Sequence, residues 1–325
     1  MSNSIKRPLV SICCITFNQS LYIEKCLEGF DLQLCDFNFE VLIFDDASTD
    51  DNQQRILKHT QGKKNYGLFL QKENQWNKNK FGFIDFLFPA AKGKYIALCE
   101  GDDYWTDPYK LQKQVDFLET NPDYVLSFHK VKILQPNGDL VEDFITKVPE
   151  NYETQEILAS SENYIHTPSV VFKNVIKEFP VQFKQSPIGD YFLYMLLAEY
   201  GKIKHLEEEM AVYREGVGVW SAQSIYFKNL KTAHTHALLI DVLSNQSSIV
   251  KILNERISKF IKRFENNIIP SDLSQLNTCK EVEIEIFSTL LKNNKIQSVN
   301  TSLTFYSTKE LLKVVLKRVI KRIWK

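Results

Sequence analysis

The sequence predicts an α/β protein in which a mostly parallel, Rossmann-like sheet is flanked by helices and followed by a helical extension. In the first half of the chain, short apolar runs rich in β-branched residues alternate with amphipathic stretches, as in parallel strands joined by helices. From about Ser221, glycine and proline nearly vanish and apolar residues recur with a helical period of about 3.6. We therefore expect one α/β domain over residues 1–220 and a helical C-terminal extension over 221–325.

The composition excludes several classes of protein. Of 325 residues, 44% are apolar, which suffices for a large core, and 40 basic side chains balance 40 acidic ones. Because a neutral chain has no global field that attracts nucleic acid, we expect no nucleic-acid partner. No stretch has the ~20 apolar residues that a membrane-spanning helix needs. The six cysteines show no metal-finger spacing, which favours free thiols in a reducing, cytoplasmic compartment.

The elements of the sheet are predicted from apolar periodicity and from the residues that end each run. Ser20 is the expected N-cap of the first helix. The predicted strands are Leu9–Phe17, Phe39–Phe44, Gly67–Gln71, Tyr95–Cys99, Tyr124–Leu134 and Ser169–Phe172. The predicted helices are Leu21–Phe30, a polar helix to about Thr60, Lys80–Ala91, Asp107 to about Glu119, and Tyr191–Tyr200.

Two acidic loops follow predicted strands, Asp45–Asp50 and Glu100–Asp103. Ligands of open α/β sheets collect outside the carboxyl ends of strands, so these loops mark a candidate site. Adjacent carboxylates repel each other unless a cation or hydrogen-bond donors offset the charge, and Mg²⁺ or Mn²⁺ bound together with substrate phosphates is a common solution. The alternative is that both loops only cap the helices that follow them.

The order of these motifs resembles a known family. Val10–Asn18, Asp45–Asp50 and Ala91–Asp103 together are similar to glycosyltransferase family 2, whose members have the GT-A fold. The likeness extends over roughly residues 8–135 and more weakly to about 220. It implies an inverting enzyme that transfers a sugar from a nucleotide diphosphate sugar, with a UDP-sugar as the default donor. It also implies Mn²⁺ or Mg²⁺ as the cofactor.

The resemblance assigns donor-binding roles to individual residues. Thr16 and Phe17 would line the nucleobase, and Asp46 would contact the uracil edge. Asp102 would lie near the ribose and the metal, whereas Asp103 would ligate a metal that bridges the diphosphate.

Further roles fall in the second half of the domain. Asp190 precedes a predicted helix and would be the general base, although the same position suits an ordinary N-cap. Arg214 ends a Tyr-Arg element, and its planar guanidinium group would donate hydrogen bonds to the diphosphate. His166 either faces the acceptor or is a structural histidine with its hydrogen bonds satisfied.

The sequence departs from the family pattern at two places. Ile84 and Asp85 stand where many relatives have Arg-Asn, so a cationic contact there would have to come from Lys78 or Lys80. Glu215 follows Arg214 in the region where many relatives carry a histidine ligand.

The end of the chain, Ser307–Lys325, has the pattern of a basic amphipathic helix. Such a helix suits an anionic membrane surface, which would place the protein on the inner face of the cytoplasmic membrane. The alternative is a terminal helix that packs on the domain. With this location, a glycan or lipid-linked glycan of bacterial surface polysaccharide or glycoprotein synthesis is the expected acceptor.

Two other functions are compatible with the same motifs. A nucleotidyltransferase also uses acidic metal ligands on a Rossmann-like sheet, but it usually has a glycine-rich, basic loop after the first strand, and Asn18–Ser20 has neither feature. A non-catalytic scaffold that binds nucleotide sugars or membranes is the second.

Overall fold

The computed structural model of the chain describes residues 7–217 and 225–267. They belong to two compact units, one before and one after the boundary between residues 223 and 224. The first unit contains the sheet, and the described part of the second unit is a pair of helices. The domain boundary at 220 and the extension up to 325 stay predictions.

Within residues 7–217, the first unit has nine strands and seven α-helices. The strands are β1 (Val10–Thr16), β2 (Phe39–Asp45), β3 (Tyr66–Leu70), β4 (Tyr95–Glu100), β5 (Tyr104–Trp105), β6 (Tyr124–Leu134), β7 (Leu140–Glu142), β8 (Val171–Lys173) and β9 (Lys202–Arg214). The helices are α1 (Ile23–Asp31), α2 (Asn52–Thr60), α3 (Phe88–Ala90), α4 (Lys110–Thr120), α5 (Gln155–Ser160), α6 (Val181–Gln185) and α7 (Gly189–Leu197). Short 3₁₀ turns lie at Trp76–Lys78 and Thr167–Ser169, and a π-helical turn at Gly82–Leu87 precedes α3.

The α/β class with a mostly parallel sheet is confirmed, and β5, β7 and β8 add short antiparallel pairings to it. Its strand order is β3-β2-β1-β4-β8-β6-β9-β5, with β7 paired to β6. The first four strands in this order are parallel, whereas β8 runs antiparallel to both β4 and β6. β6 and β9 are parallel, and the short β5 is antiparallel to the end of β9. The carboxyl ends of β1, β2 and β4 therefore meet at one edge.

The core explains why the central strands are continuous apolar runs. β1, β2 and β4 are covered on both faces, as expected for parallel strands flanked by helices. Helix α1 buries one face against them, and the ring of Phe30 meets the ring of Trp105 edge-on at 4.9 Å. The tight packing of α1 against β5 fixes the residues that follow β4.

Two local predictions are wrong in their details. Ser20 is not an N-cap, because α1 begins at Ile23 and the backbone N–H of Ser20 donates to Asp50 Oδ2 at 3.0 Å. The helix predicted from Lys80 begins as a π-helical turn, in which Asp85 Oδ2 accepts the backbone N–H of Phe81 at 2.7 Å.

The described part of the second unit consists of α8 (Ile225–Val242) and α9 (Ser247–Asn267). A small buried cluster joins them, formed by Leu230, Ala233, Ala237, Ile257 and Phe260. Across the described residues, no helix has both the length and the apolar character needed to cross a bilayer. The predicted basic helix Ser307–Lys325 lies outside the described residues.

We predict that Gly29→Ala destabilises the protein by about 1–3 kcal/mol through overpacking. A Cβ at Gly29 would lie 2.8 Å from the backbone nitrogen and 2.9 Å from the carbonyl oxygen of Trp105. Backbone atoms cannot rotate away, so the clash outweighs the helix propensity of alanine, worth about 1 kcal/mol. Urea unfolding measures the change.

The matched control is Gly189→Ala, also in a helix, where the added methyl group would meet no atom within 4 Å. This variant should be as stable as the wild type or slightly more so. Equal effects of the two substitutions would contradict the close approach of α1 to β5.

Candidate active site

The loops after β1 and β2 are tied to each other by side-chain hydrogen bonds. The backbone N–H of Asn18 donates to Ser48 Oγ at 2.8 Å, and the backbone N–H of Thr49 donates to Asn18 Oδ1 at 2.7 Å. Asn18 and Ala47 both have left-handed backbone conformations, with φ of 52° and 61°. Such conformations persist only where the surroundings enforce them, so these loops form one preorganised rim.

Asp45, at the end of β2, is fully buried and structural. Its carboxylate accepts the backbone N–H of Ser48 at 2.9 Å and the Ser48 hydroxyl at 2.6 Å. It also accepts the side-chain amides of Asn52 and Gln53, at 2.7 Å and 2.6 Å. Asp45 therefore braces the loop, but it does not cap α2, whose N-cap is Asp51 with no side-chain capping hydrogen bond.

Asp46 is half-buried and lies under the turn that begins at Gln75. Its Oδ1 accepts the backbone N–H of Gln75 at 2.5 Å, and its Oδ2 accepts that of Trp76 at 3.2 Å. A carboxylate has about four lone-pair sites, so two remain for a ligand such as the predicted uracil edge. Trp76 is 61% exposed beside this carboxylate and packs edge-on against Phe81. Periodicity did not single out Trp76 because it lies between elements.

Thr16 and Phe17 differ in accessibility. Thr16 is buried, and its hydroxyl donates to Gln19 Oε1 at 2.8 Å while accepting the side-chain amide of Asn52 at 3.0 Å. Phe17 is 46% exposed at the rim. Phe17 is thus free to contact a base, whereas Thr16 holds the rim together, and the nucleobase role of both stays a prediction.

Three carboxylates gather at the end of β4. Carboxylate oxygens of Glu100, Asp102 and Asp103 all lie within 4.8 Å of one another. Gly101 makes the turn possible, because a Cβ there would be 2.6 Å from the Thr16 hydroxyl, and its N–H donates to the Ile15 carbonyl at 2.9 Å. We refer to Glu100, Asp102 and Asp103 as the acidic cluster.

Burial and mutual repulsion make the charged form of the acidic cluster costly. Burial, with the charges of Asp102 and Asp190, raises the pKa of Glu100 to about 8. Burial also raises the pKa of Asp102, and burial with two neighbouring carboxylates raises that of Asp103 well above its ordinary value. Among the described residues, Asp102 Oδ1 and Asp103 Oδ2 are buried without a hydrogen-bond partner.

Arg214, at the end of β9, compensates part of this charge. Its backbone N–H donates to Asp103 Oδ1 at 2.8 Å, and its Nε donates to the Asp102 carbonyl at 2.9 Å. The guanidinium carbon lies 4.4 Å from the centre of the Tyr22 ring. One arginine beside three carboxylates leaves a negative, oxygen-lined site, which fits a hard divalent cation. Glu100 extends the predicted ligand set; sequence analysis had not assigned it as a metal ligand.

Asp190 lies near the acidic cluster in the first turn of α7. Helix α7 begins at Gly189 and its N-cap is Ile188, so the N-cap interpretation of Asp190 is wrong. Asp190 Oδ2 accepts the side-chain amide of Asn163 at 3.0 Å, and burial raises its pKa, which makes the carboxylate more basic. It is near enough that its charge contributes to the raised pKa of Glu100.

His166 has its own hydrogen-bond partner. Its Nε2 donates to Asp143 Oδ2 at 3.0 Å, and its ring lies 4.8 Å from the ring of Tyr213. Burial alone would raise the pKa of Asp143, but the hydrogen bond and charge of His166 lower it to about 2. The structural interpretation of His166 is supported. Of the two candidate cations, Lys78 is paired with Glu73, and Lys80 is exposed.

Comparison with known proteins identifies the family. Residues 11–179 match the model described as Glycosyl transferase family 2. An uncharacterized protein of Mycobacterium tuberculosis is 37% identical over 213 residues, which are 65% of this chain and 60% of that protein. The chain thus spans well under two thirds of the length of this relative.

Two further proteins carry descriptive names. The UDP-Glc:alpha-D-GlcNAc-diphosphoundecaprenol beta-1,3-glucosyltransferase WfaP of Escherichia coli is 35% identical over 112 residues, 34% of this chain and 42% of that protein. The crystal structure of Staphylococcus aureus TarS with UDP superposes with a TM-score of 0.58 and 17% identity, covering 89% of this chain and 81% of that one. This likeness confirms the predicted GT-A fold. With a family match that covers half of its length, the chain belongs to glycosyl transferase family 2.

Proposed function

We propose that the protein is an inverting, metal-dependent glycosyltransferase that moves a sugar from a UDP-sugar to a glycan or lipid-linked glycan. The observation that carries this proposal is the acidic cluster at the carboxyl end of β4, with Asp190 on one side and Arg214 on another. Family membership favours this function over a nucleotidyltransferase or a non-catalytic scaffold.

The acidic cluster is chemically suited to Mn²⁺ or Mg²⁺. Its donors are carboxylate oxygens, and the buried, unpartnered Asp102 Oδ1 and Asp103 Oδ2 are groups that a cation would satisfy. Asp103 and Asp102 would hold the ion, with Glu100 as a further ligand. When bound, such an ion neutralises charge on the departing nucleoside diphosphate.

In the proposed reaction, the acceptor hydroxyl oxygen attacks the anomeric carbon of the donor sugar. Asp190 takes the proton of that hydroxyl, a role that suits a carboxylate of raised basicity. The bond between the anomeric carbon and the diphosphate oxygen breaks, and its electron pair leaves with the nucleoside diphosphate. Attack from the opposite face inverts the configuration. Arg214 would stabilise the leaving diphosphate as a planar donor.

The relatives support the proposed donor and acceptor classes. The TarS structure contains UDP, and the E. coli relative is named for a UDP-glucose donor and a diphosphoundecaprenol-linked acceptor. In this chain, Asp46, Phe17 and Thr16 form the rim where a uracil base would lie. A bacterial surface polysaccharide or glycoprotein pathway would supply the acceptor.

We predict that Asp103→Asn weakens Mn²⁺-dependent binding of UDP by tenfold or more, because the substitution removes one negative ligand. Calorimetry with and without Mn²⁺ measures the effect. The control is Asp139→Asn, on the exposed turn between β6 and β7, which should bind as the wild type does. Unchanged metal-dependent affinity in folded Asp103→Asn protein would refute the assignment of Asp103.

We predict that Asp190→Asn lowers turnover by roughly 10²–10⁴ while donor affinity stays unchanged, as expected for loss of a general base. Asparagine can still accept the hydrogen bond from Asn163, so the fold should persist. Steady-state kinetics with a donor and acceptor pair that the wild type uses measures both parameters. Near-normal turnover would show that Asp190 is not the general base, and Glu100 would then be tested in that role.

We further propose that the C-terminal segment attaches the enzyme to an anionic membrane. Between Lys309 and Lys325 there are seven basic residues and one acidic residue, so this segment is strongly basic although the chain as a whole has a net charge of zero. Each basic group near such a surface contributes about 1 kcal/mol, and the apolar face adds a hydrophobic term.

Deleting residues 308–325 should release the protein from anionic liposomes in a sedimentation assay and leave hydrolysis of a UDP-sugar close to wild type. Higher salt should weaken attachment of the intact chain, because salt screens surface charge. A truncated protein that aggregates or melts much earlier would show that this segment packs on the domain.

A further inference from the structure

The guanidinium group of Arg214 lies beside two aromatic rings. Its central carbon is 4.4 Å from the centre of the Tyr22 ring and 5.8 Å from the centre of the Tyr104 ring. A guanidinium within about 6 Å of a ring centre is attracted to the negative face of the ring. Among the described residues, the guanidinium makes one hydrogen bond, from Nε to the Asp102 carbonyl at 2.9 Å. Because Arg214 is only half-buried, its terminal nitrogens Nη1 and Nη2 can reach a ligand.

This arginine also lies in the field of the acidic cluster. Burial raises the pKa of Asp102 and that of Asp103, and the charge of Arg214 acts against this effect at both carboxyl groups. An unrestrained guanidinium would therefore be drawn toward these carboxylates and away from an incoming ligand. An arginine side chain also loses rotamer freedom when it becomes ordered. A ring that holds the guanidinium in the free protein prevents the first effect and removes the second from ligand binding.

The position of Tyr22 is set by the rim that the loops after β1 and β2 form. Its backbone N–H donates to the Gln19 carbonyl at 2.9 Å, and Gln19 Oε1 accepts the Thr16 hydroxyl at 2.8 Å. Thr16 ends β1, whereas Arg214 ends β9, in the other half of the domain. The contact between Tyr22 and Arg214 therefore joins the rim proposed for the nucleobase to the arginine proposed for the diphosphate.

The surroundings of Tyr22 allow its ring to be changed without loss of the fold. Tyr22 is half-buried and lies between Leu21, which is 82% exposed, and Ile23, which is fully buried as the first residue of α1. Substitutions at such partly exposed positions usually have small effects on stability. A functional effect of the ring can therefore be separated from a structural one.

We propose that Tyr22 is a positioning residue, whose ring holds the guanidinium group of Arg214 so that Nη1 and Nη2 bind the diphosphate of the nucleotide. Tyr104 contributes less, because its ring lies farther from the guanidinium. In this role Tyr22 contacts no reacting atom and acts through Arg214. This inference rests on the proposed function, which places the diphosphate beside Arg214.

The test compares two nucleotides on the full chain with Mn²⁺ present. UDP has a β-phosphate and UMP has none, so the ratio of their affinities reports the contact with the diphosphate. We expect Tyr22→Leu to weaken UDP binding about three- to tenfold and UMP binding less than about twofold. Tyr22→Phe keeps the face of the ring, so both affinities should stay within about twofold of the wild type. Calorimetry measures UDP binding, and NMR titration measures the weaker binding of UMP.

A double-mutant cycle tests whether Tyr22 acts through Arg214. Arg214→Gln removes the cation and should weaken UDP binding about tenfold or more. Adding Tyr22→Leu to Arg214→Gln should then change UDP affinity by less than about twofold, because the ring has no cation left to hold. The matched control is Tyr109→Leu, the same substitution at a tyrosine that is 51% exposed beside α4, and it should bind UDP as the wild type does.

Four results would overturn this inference while UDP binding to the wild type upholds the proposed function. They are unchanged UDP affinity in Tyr22→Leu or in Arg214→Gln, equal weakening of UDP and UMP, loss of affinity in Tyr22→Phe, and additive effects in the cycle. If Tyr22→Leu does not fold, Tyr22→Met replaces it in every measurement. If UDP does not bind to the wild type in the presence of Mn²⁺, the proposed function fails and this inference fails with it.

Discussion

The architecture depends on holding three carboxylates against their mutual repulsion. Glu100, Asp102 and Asp103 lie within 4.8 Å of one another. Burial raises the pKa of each, and neighbouring carboxylates raise those of Glu100 and Asp103 further. Such a cluster forms only where a rigid scaffold holds it and a partner compensates the charge. The sheet supplies the scaffold through the parallel pairing of β1 with β2 and β4. Arg214 compensates the charge through its contacts with Asp103 and Asp102.

The compensating groups come from distant parts of the sequence. Arg214 reaches Asp103 across 111 positions because the end of β9 pairs antiparallel with β5. Asp190 arrives on α7, held by Asn163 from the segment before β8. The second half of the domain therefore completes a site that the first half begins.

Much of the fold could be predicted because its determinants are local. β1, β2 and β4 are buried on both faces, which makes them continuous apolar runs, and β6 has the predicted bounds. The antiparallel course of β8 could not be predicted, because pairing partners are not encoded in a strand's own pattern. Ser20 is not the N-cap because α1 begins only at Ile23, and the backbone N–H of Ser20 is bound instead to Asp50 of the neighbouring loop.

Part of the candidate site could also be predicted, because some of its residues are neighbours in the sequence. Adjacent Asp102 and Asp103 are visible as a motif, whereas Glu100 is the last residue of a strand, and only its side-chain direction brings it to the pair. Asp45 and Asp46 are neighbours with different surroundings, one a buried structural group and the other half-buried below Gln75 and Trp76.

The central claim is that the acidic cluster binds a divalent cation together with the diphosphate of a nucleotide. Electron paramagnetic resonance of Mn²⁺ bound to the full chain, with and without UDP, tests it most directly. The account predicts one tightly bound Mn²⁺ that appears with UDP and shows magnetic coupling to phosphorus nuclei, and that is lost when Asp102 and Asp103 are both replaced by asparagine. Mn²⁺ binding that is indifferent to UDP, or that survives the double replacement, would contradict it.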